Sequence, residues 1–173
     1  MSANSQFFTN RMGMRLRYVR WGTPSAIPVL LLHGLRSYAQ TWAPLAAALG
    51  EQYACHALDQ RGRGESDWAE ASSYRTESYV SDLEDWVAHL GLERFVLVGH
   101  SLGGTNALEY ARLNPGRLHA LVIEDIGPGS SIRGEGAERI RREMSQTPLV
   151  FPDWESAALF WRQSRPGLSA DAL

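Results

Sequence analysis

Short apolar runs alternate along the chain with stretches whose apolar residues recur at helical spacing. Dense apolar runs only four to six residues long are typical of buried parallel strands. The predicted strands cover residues 28–32, 54–58, 95–98 and 118–123. Tyr79, Val80, Leu83, Trp86, Val87 and Leu90 would form one face of a helix that Gly91 ends. Strands alternating with helices predict an α/β fold, with a mostly parallel sheet and helices on both faces.

Further segments complete this pattern. Residues 14–21 alternate apolar and basic side chains, which predicts an early antiparallel strand at the edge of the sheet. A short helix is predicted over 42–49, with Pro44 tolerated in its first turn and Gly50 as its end. The acidic side chains at 82, 84 and 85 fall on the polar face of the 79–90 helix and are expected to be solvated.

The character of the chain changes after Pro128. Gly129–Ser131 is typical of a linker, and Ile140 and Met144 suggest a short helix that carries exposed arginines. Asp153 is a candidate N-cap for one more helix. We therefore expect one domain over residues 1–128 and a second, helical segment over residues 129–173.

Gly99-His100-Ser101-Leu102-Gly103-Gly104 is the segment richest in chemistry. It stands between a predicted strand and a predicted helix, where a G-x-S-x-G nucleophile elbow is found. The two glycines of the motif would allow a turn too tight for a Cβ atom, and Ser101 would sit at the helix N-terminus. There a developing oxyanion meets free backbone N–H groups. The alternative is a glycine-rich turn with an unreactive serine.

Two other strand ends supply candidate partners for Ser101. The run 28–32 ends in His33-Gly34, and the backbone N–H of Leu35 could join that of Leu102 as an oxyanion-hole donor. We interpret His33 as a buried structural histidine whose ring hydrogen-bonds the loop. The run 118–123 ends in Glu124 and Asp125, at the sheet edge where active sites of α/β proteins lie.

The loop after residue 58 carries glycines and charges of both signs, Asp59-Gln60-Arg61-Gly62-Arg63-Gly64-Glu65-Ser66-Asp67. It lacks the G-x-G-x-x-G of a dinucleotide site, and the mixed charges disfavour an anion site. We interpret the loop as structural and expect Asp59 and Arg61 to pair with each other.

These segments together resemble the α/β-hydrolase fold family, from about Arg15 to Pro128. The resemblance implies a serine hydrolase that acts on a small ester, lactone or related acyl compound through Ser101. It implies that residues 1–128 are part of the hydrolase core and that 129–173 are part of a helical cap inserted after the sixth strand. Some members of the family carry the catalytic acid after that strand, which makes Asp125 or Glu124 the candidate here.

The family's chain order is serine, acid and then a late histidine, and no histidine after Ser101 is well placed. His119, the one that follows, is near the start of its strand. We therefore expect the chain to lack the family's C-terminal third and to have little triad-dependent activity. Its sixth strand would then be an exposed edge prone to self-association. The alternative function is a catalytically incomplete binding or association module.

Composition narrows the function classes further. A net charge of −2 gives no concentrated basic face for nucleic acid, and no apolar run approaches the ~20 residues of a membrane span. The single Cys55 excludes an internal disulfide, and the histidines lack metal-ligand spacing, so no metal or cofactor is expected. The N-terminus lacks a signal-peptide pattern, which favours a cytoplasmic location. Dehalogenase chemistry needs a carboxylate where Ser101 stands.

Overall fold

The computed structural model describes residues 3–24, 26–127 and 135–167. The chain divides into two compact units, Met1–Ser130 and Ser131–Leu173. Pro128 and the linker predicted at Gly129–Ser131 lie outside the described residues. Within the described ranges, no helix combines the length and the apolar character needed to cross a membrane.

The first unit is built on a six-stranded sheet in the order β1-β2-β4-β3-β5-β6. The strands are β1 (Asn4–Thr9), β2 (Arg15–Trp21), β3 (Ile27–Leu32), β4 (Tyr53–Leu58), β5 (Phe95–His100) and β6 (Leu118–Glu124). Strands β4, β3, β5 and β6 run parallel, whereas β1 and β2 are antiparallel to their neighbours. The predicted class, a mostly parallel α/β sheet, is confirmed.

Helices cover both faces of this sheet. They are α1 (Ala43–Leu49), which follows a 3₁₀ turn at Ala39–Trp42, α2 (Thr76–His89) and α3 (Leu102–Leu113). Successive residues of a strand point to opposite faces, so β5 serves two cores. Phe95 and Leu97 pack into one cluster with Trp86 of α2, and Val98 packs into the other with Ala46 of α1. The predicted helices on both faces are therefore present.

The edge assignment at the N-terminal side was wrong. Strand β2 lies inside the sheet, because β1 pairs with its outer side as an antiparallel hairpin. The Asn10 side chain closes the hairpin by accepting from the backbone N–H groups of Met12 and Met14, and Gly13 adopts a φ of +80°. Phe8 is buried on the sheet. The burial of Phe8 and this turn stabilise β1, although most of the first residues are polar.

The second unit contains α4 (Glu135–Gln146) and α5 (Trp154–Ser164). Asp153 is the N-cap of α5, as predicted, and its carboxylate accepts from the Ser156 N–H at 2.7 Å. Phe151 packs against Phe160 with ring centroids 5.4 Å apart. The arginines of α4 at 139, 141 and 142 are exposed.

Candidate active site

Ser101 occupies a strained turn between β5 and α3. Its φ of 50° and ψ of −114° are a conformation that residues with a Cβ atom rarely adopt. A Cβ on Gly99 would lie 2.4 Å from the carbonyl oxygen of Gly103. A Cβ on Gly103 would lie 2.2 Å from the carbonyl oxygen of Leu32. Both glycines of the motif are thus required by close backbone contacts, and the strand–turn–helix geometry predicted for the motif is present.

The Ser101 side chain stands at the N-terminus of α3. Leu102 is the first residue of the helix, so its N–H has no intrahelical acceptor. The Ser101 backbone is anchored to β6, because its N–H donates to the Glu124 carbonyl at 3.0 Å. Within the described ranges, the Ser101 hydroxyl makes no hydrogen bond to a histidine ring.

The loop after β3 lies directly against this turn. A Cβ on Gly34 would be 2.5 Å from Nδ1 of His100 and 3.3 Å from Cβ of Ser101. The Gly34 carbonyl accepts from the Ser37 N–H at 3.2 Å, and Arg36 within that turn adopts a φ of 65°. Leu35 is therefore held in a tight turn that begins beside Ser101.

His33 is the buried structural histidine that the sequence predicted. Only 1% of it is exposed, and both ring nitrogens are bonded. Nδ1 lies 2.8 Å from the Gly34 carbonyl oxygen, and Nε2 accepts from the Gln60 N–H at 3.1 Å. Burial lowers the pKa of His33 below its ordinary value. The ring is thus neutral near pH 7 and fixes the loop.

The loop at 59–67 is structural, but the predicted pair between Asp59 and Arg61 does not form. Asp59 accepts from Arg17 at 2.8 Å, 42 residues away along the chain. Arg61 donates to both carboxylate oxygens of Asp82, at 2.7 and 2.8 Å. Asp82 is 2% exposed, so the expected solvated position was also wrong. The oppositely charged partners of Asp59 and Arg61 lie on a strand and a helix that are distant along the chain, so local spacing could not indicate them.

The two candidate acids lie at the carboxyl end of β6. Glu124 is the register partner of His100 on β5. The Asp125 carboxylate is 3.7 Å from Nε2 of His100, and its backbone adopts a φ of 70°. A cavity of about 220 Å³ opens here. It is lined by His33, Ser37, Thr41, Trp42, His100 and Glu124.

Sequence reasoning missed two buried polar residues beside the site, Gln60 and Asn106. The Asn106 side chain donates to the Gln60 side-chain oxygen at 2.8 Å. A signal existed for Asn106, because it is the one amide on the face of α3 that also carries Gly103, Ala107 and Tyr110. Gln60 gave no signal, since its partner is 46 residues away.

The chain is similar to known proteins over most of its length. A model of the alpha/beta hydrolase fold family matches residues 27–170. A 3-hydroxybutyrate-oligomer hydrolase of Cupriavidus necator is 34% identical over 84% of this chain and 50% of its own length. A soluble epoxide hydrolase of a Corynebacterium species is 33% identical over 85% of this chain and 51% of its own.

Solved structures agree with this similarity. An alpha/beta hydrolase from Novosphingobium aromaticivorans superposes with a TM-score of 0.83 and 35% identity, over 96% of this chain and 60% of that one. The chain spans about half the length of the curated hydrolases named above. With its sheet order, its elbow at Ser101 and the family match over residues 27–170, the chain belongs to the alpha/beta hydrolase fold family.

Proposed function

We propose that this chain carries the nucleophile and oxyanion hole of a serine hydrolase that acts on a small ester, lactone or related acyl compound. One observation carries the proposal: Ser101 lies on a strained turn at the N-terminus of α3. Close backbone contacts on either side of it leave no room for a Cβ atom at Gly99 or Gly103. Structural serines have no need of such a turn, and strain at a helix N-terminus is typical of nucleophile elbows.

In this proposal, the Ser101 oxygen attacks the acyl carbonyl carbon. The carbonyl oxygen becomes an oxyanion that accepts from the N–H groups of Leu102 and Leu35. The leaving alcohol departs with a proton, and water then cleaves the acyl-serine ester to return the free hydroxyl. Asp125 or Glu124 is the proposed acid that orients the base.

A general base has to take the Ser101 proton. None of the described histidines hydrogen-bonds the Ser101 hydroxyl. The relatives are about twice as long as the matched segment, so we propose that the base of the whole protein comes from outside these 173 residues. Residues 129–173 would be part of a helical cap.

The substrate class follows from the nucleophile. A serine hydroxyl forms an acyl-enzyme with esters and lactones, whereas opening an alkyl halide by direct displacement calls for a carboxylate nucleophile. One relative is named as a 3-hydroxybutyrate-oligomer hydrolase. Hydroxyacid esters therefore belong in the first substrate panel.

Labelling with a fluorophosphonate tests this proposal. The 173-residue chain is incubated with the probe, and the modified residue is located by peptide mass spectrometry. We expect Ser101 to be labelled slowly, because this chain lacks the proposed base, yet ahead of every other serine, because the oxyanion donors also stabilise phosphonylation. Ser101→Ala should abolish the labelling, and Ser81→Ala on α2 serves as the matched control. Labelling spread evenly over surface serines would contradict the proposal.

Turnover tests the proposed source of the base. With the oxyanion hole but no base, hydrolysis of a p-nitrophenyl ester should exceed the reaction in water by only ~10³–10⁴-fold. A rate typical of intact esterases that Ser101→Ala abolishes would show that this chain contains its own base.

The alternative, an association module, is favoured by the position of β6. This strand is at the edge of the sheet as described, and Val122 on it is 49% exposed. An unpaired edge with apolar side chains can pair with a second copy. Sedimentation velocity should then detect dimers that Val122→Lys dissociates. A monomer at all concentrations would rule this function out.

A further inference from the structure

Three buried side chains form a hydrogen-bonded chain from the loop after β3 to helix α3. The Asn106 amide nitrogen donates to the Gln60 side-chain oxygen at 2.8 Å. The Gln60 amide nitrogen donates to the His33 carbonyl at 2.7 Å, and the Gln60 backbone N–H donates to Nε2 of His33 at 3.1 Å. His33, Gln60 and Asn106 are each no more than 2% exposed.

The direction of every bond in this chain is determined. The His33 carbonyl can only accept, so the Gln60 amide nitrogen faces it and the Gln60 oxygen faces Asn106. The Gly34 carbonyl also only accepts, so Nδ1 of His33 carries the proton that lies 2.8 Å from that oxygen. Nε2 is then the bare nitrogen that receives the Gln60 N–H.

This arrangement sets the orientation of one peptide group. The His33 ring and the Ser37 N–H both hold the Gly34 carbonyl. No cis peptide occurs among the described residues, so the Leu35 N–H points opposite to the Gly34 carbonyl and away from the His33 ring. The direction of the Leu35 N–H therefore depends on a single His33 tautomer.

The other end of the chain is tied to the helix that begins with Leu102. Gly103 of α3 is in contact with the last residue of β3 and with the loop after it, since a Cβ there would meet the Leu32 carbonyl and would be 2.8 Å from the His33 carbonyl oxygen. Asn106 is one turn further along the same helix. The bonds through Gln60 thus join the loop that bears the Leu35 N–H to the helix that bears the Leu102 N–H.

We infer that Gln60 and Asn106 are positioning residues of the oxyanion hole: their side chains hold the Gln60 backbone N–H against Nε2 of His33, which fixes the Nδ1–H tautomer and so aims the Leu35 N–H. This inference rests on the proposed function of Leu35 and Leu102. Packing alone does not account for Asn106, because its side-chain oxygen is buried with no partner among the described residues. An unpaired buried carbonyl costs stability, and a hydrophobic residue would avoid that cost.

The first test uses the unmodified 173-residue chain and needs no activity. Long-range ¹H–¹⁵N spectra of the histidine rings distinguish the Nδ1–H from the Nε2–H tautomer. We expect His33 to be a single Nδ1–H tautomer at neutral pH. An Nε2–H ring, or an even mixture, would overturn the inference.

The second test removes one link. In Asn106→Leu, which has nearly the same shape but no donor, Gln60 loses a partner and the His33 tautomers should mix. Removing an oxyanion donor costs ~10²–10³-fold, so a donor that is only misaligned should slow fluorophosphonate labelling of Ser101 about tenfold. Asn106→Ala, which adds no bulk, repeats the test if the leucine variant does not fold.

Asn10→Ala is the matched control. Asn10 is also a buried amide, bonded to Asp82 and to the β1–β2 turn, away from the loop after β3. It should lose stability yet keep the His33 tautomer and the labelling rate. Equal slowing in both variants would mean that Asn106 acts through stability alone. If labelling is spread evenly over the surface serines, the proposed function fails, while the tautomer spectra still decide whether Gln60 and Asn106 hold the His33 ring.

Discussion

The elbow at 99–104 and the loop at 59–67 follow β5 and β4, the two strands that flank β3, but are held in place by opposite means. The elbow is shaped by backbone atoms that lie within 2.8 Å of where a Cβ on Gly99 or Gly103 would stand, and the Ser101 side chain provides no cap. The loop is held by charged side chains, Asp59 to Arg17 and Arg61 to Asp82, that come from other elements.

This difference decides what each region tolerates. The glycines of the elbow lie against backbone atoms, which cannot move aside as a flexible side chain can. Adding a Cβ atom to either glycine is therefore expected to destabilise the elbow. The loop depends on buried ion pairs. Removing one partner leaves the other as an unpaired buried charge, which destabilises the loop. The four predictions that follow probe this contrast, from the largest expected effect to the smallest.

Arg61→Met should have the largest effect. Among the described residues, it leaves Asp82 buried with Asn10 as its one side-chain partner, and breaking a buried pair in this way costs about 3–5 kcal/mol. Urea unfolding measures the loss. Arg112→Met is the control, because its pair with Glu109 is on the surface of α3 and should contribute little to stability. Equal losses in the two variants would mean that burial of the pair is irrelevant.

Gly103→Ala should destabilise the elbow by about 3 kcal/mol, at the upper end of the usual cost of overpacking. The new Cβ would meet the Leu32 carbonyl at 2.2 Å, so β3 and α3 would have to separate. Gly127→Ala, where a Cβ meets nothing within 4 Å, should be nearly neutral. Thermal melts compare the two, and fluorophosphonate labelling of Ser101 should fall only in the first.

Buried histidines also make the stability of the fold sensitive to low pH. Burial lowers the pKa of His56 to about 4 from its ordinary 6.5. The unfolded chain thus takes up the proton first, and stability is lost as the pH falls from 6.5 towards 4. The loss should reach about 2–3 kcal/mol by pH 4.5. His56 has a buried Nδ1 without a hydrogen bond, so His56→Leu should flatten this part of the profile. An unchanged slope in that variant would assign the acid sensitivity to other groups.

Asp153→Ala should have the smallest effect, because it removes one exposed hydrogen bond, the N-cap of α5. Circular dichroism at low temperature should record lower helicity. Asp153→Asn keeps an accepting oxygen and should behave like the original chain; a similar loss in both variants would point to charge rather than capping.

Much of the fold could be predicted because its signals are local. The apolar runs of β3 and β5, the helical spacing of α2 and the Asp153 cap each need only neighbouring residues, and all are present. The β1–β2 hairpin escaped prediction because its stabilisation depends on Phe8 packing on the completed sheet.

The candidate site divides in the same way. Short motifs were enough to identify Ser101, Gly99, Gly103 and His33-Gly34, since the positions of the glycines in the sequence indicate the turn geometry. The partners of Asp59, Arg61 and Asn106 could not, because 42, 21 and 46 residues separate the bonded groups.

The sequence by itself determined the strand–turn–helix at Ser101, because the apolar run of β5, the glycines that approach each other across the turn and the start of α3 all lie within one short segment. Tertiary structure alone decided which charges meet and which way the Leu35 N–H points. Those features depend on side chains that reach across the sheet, and the energy of a hydrogen bond or ion pair is set by distance in space and by exclusion of water, neither of which spacing along the chain records.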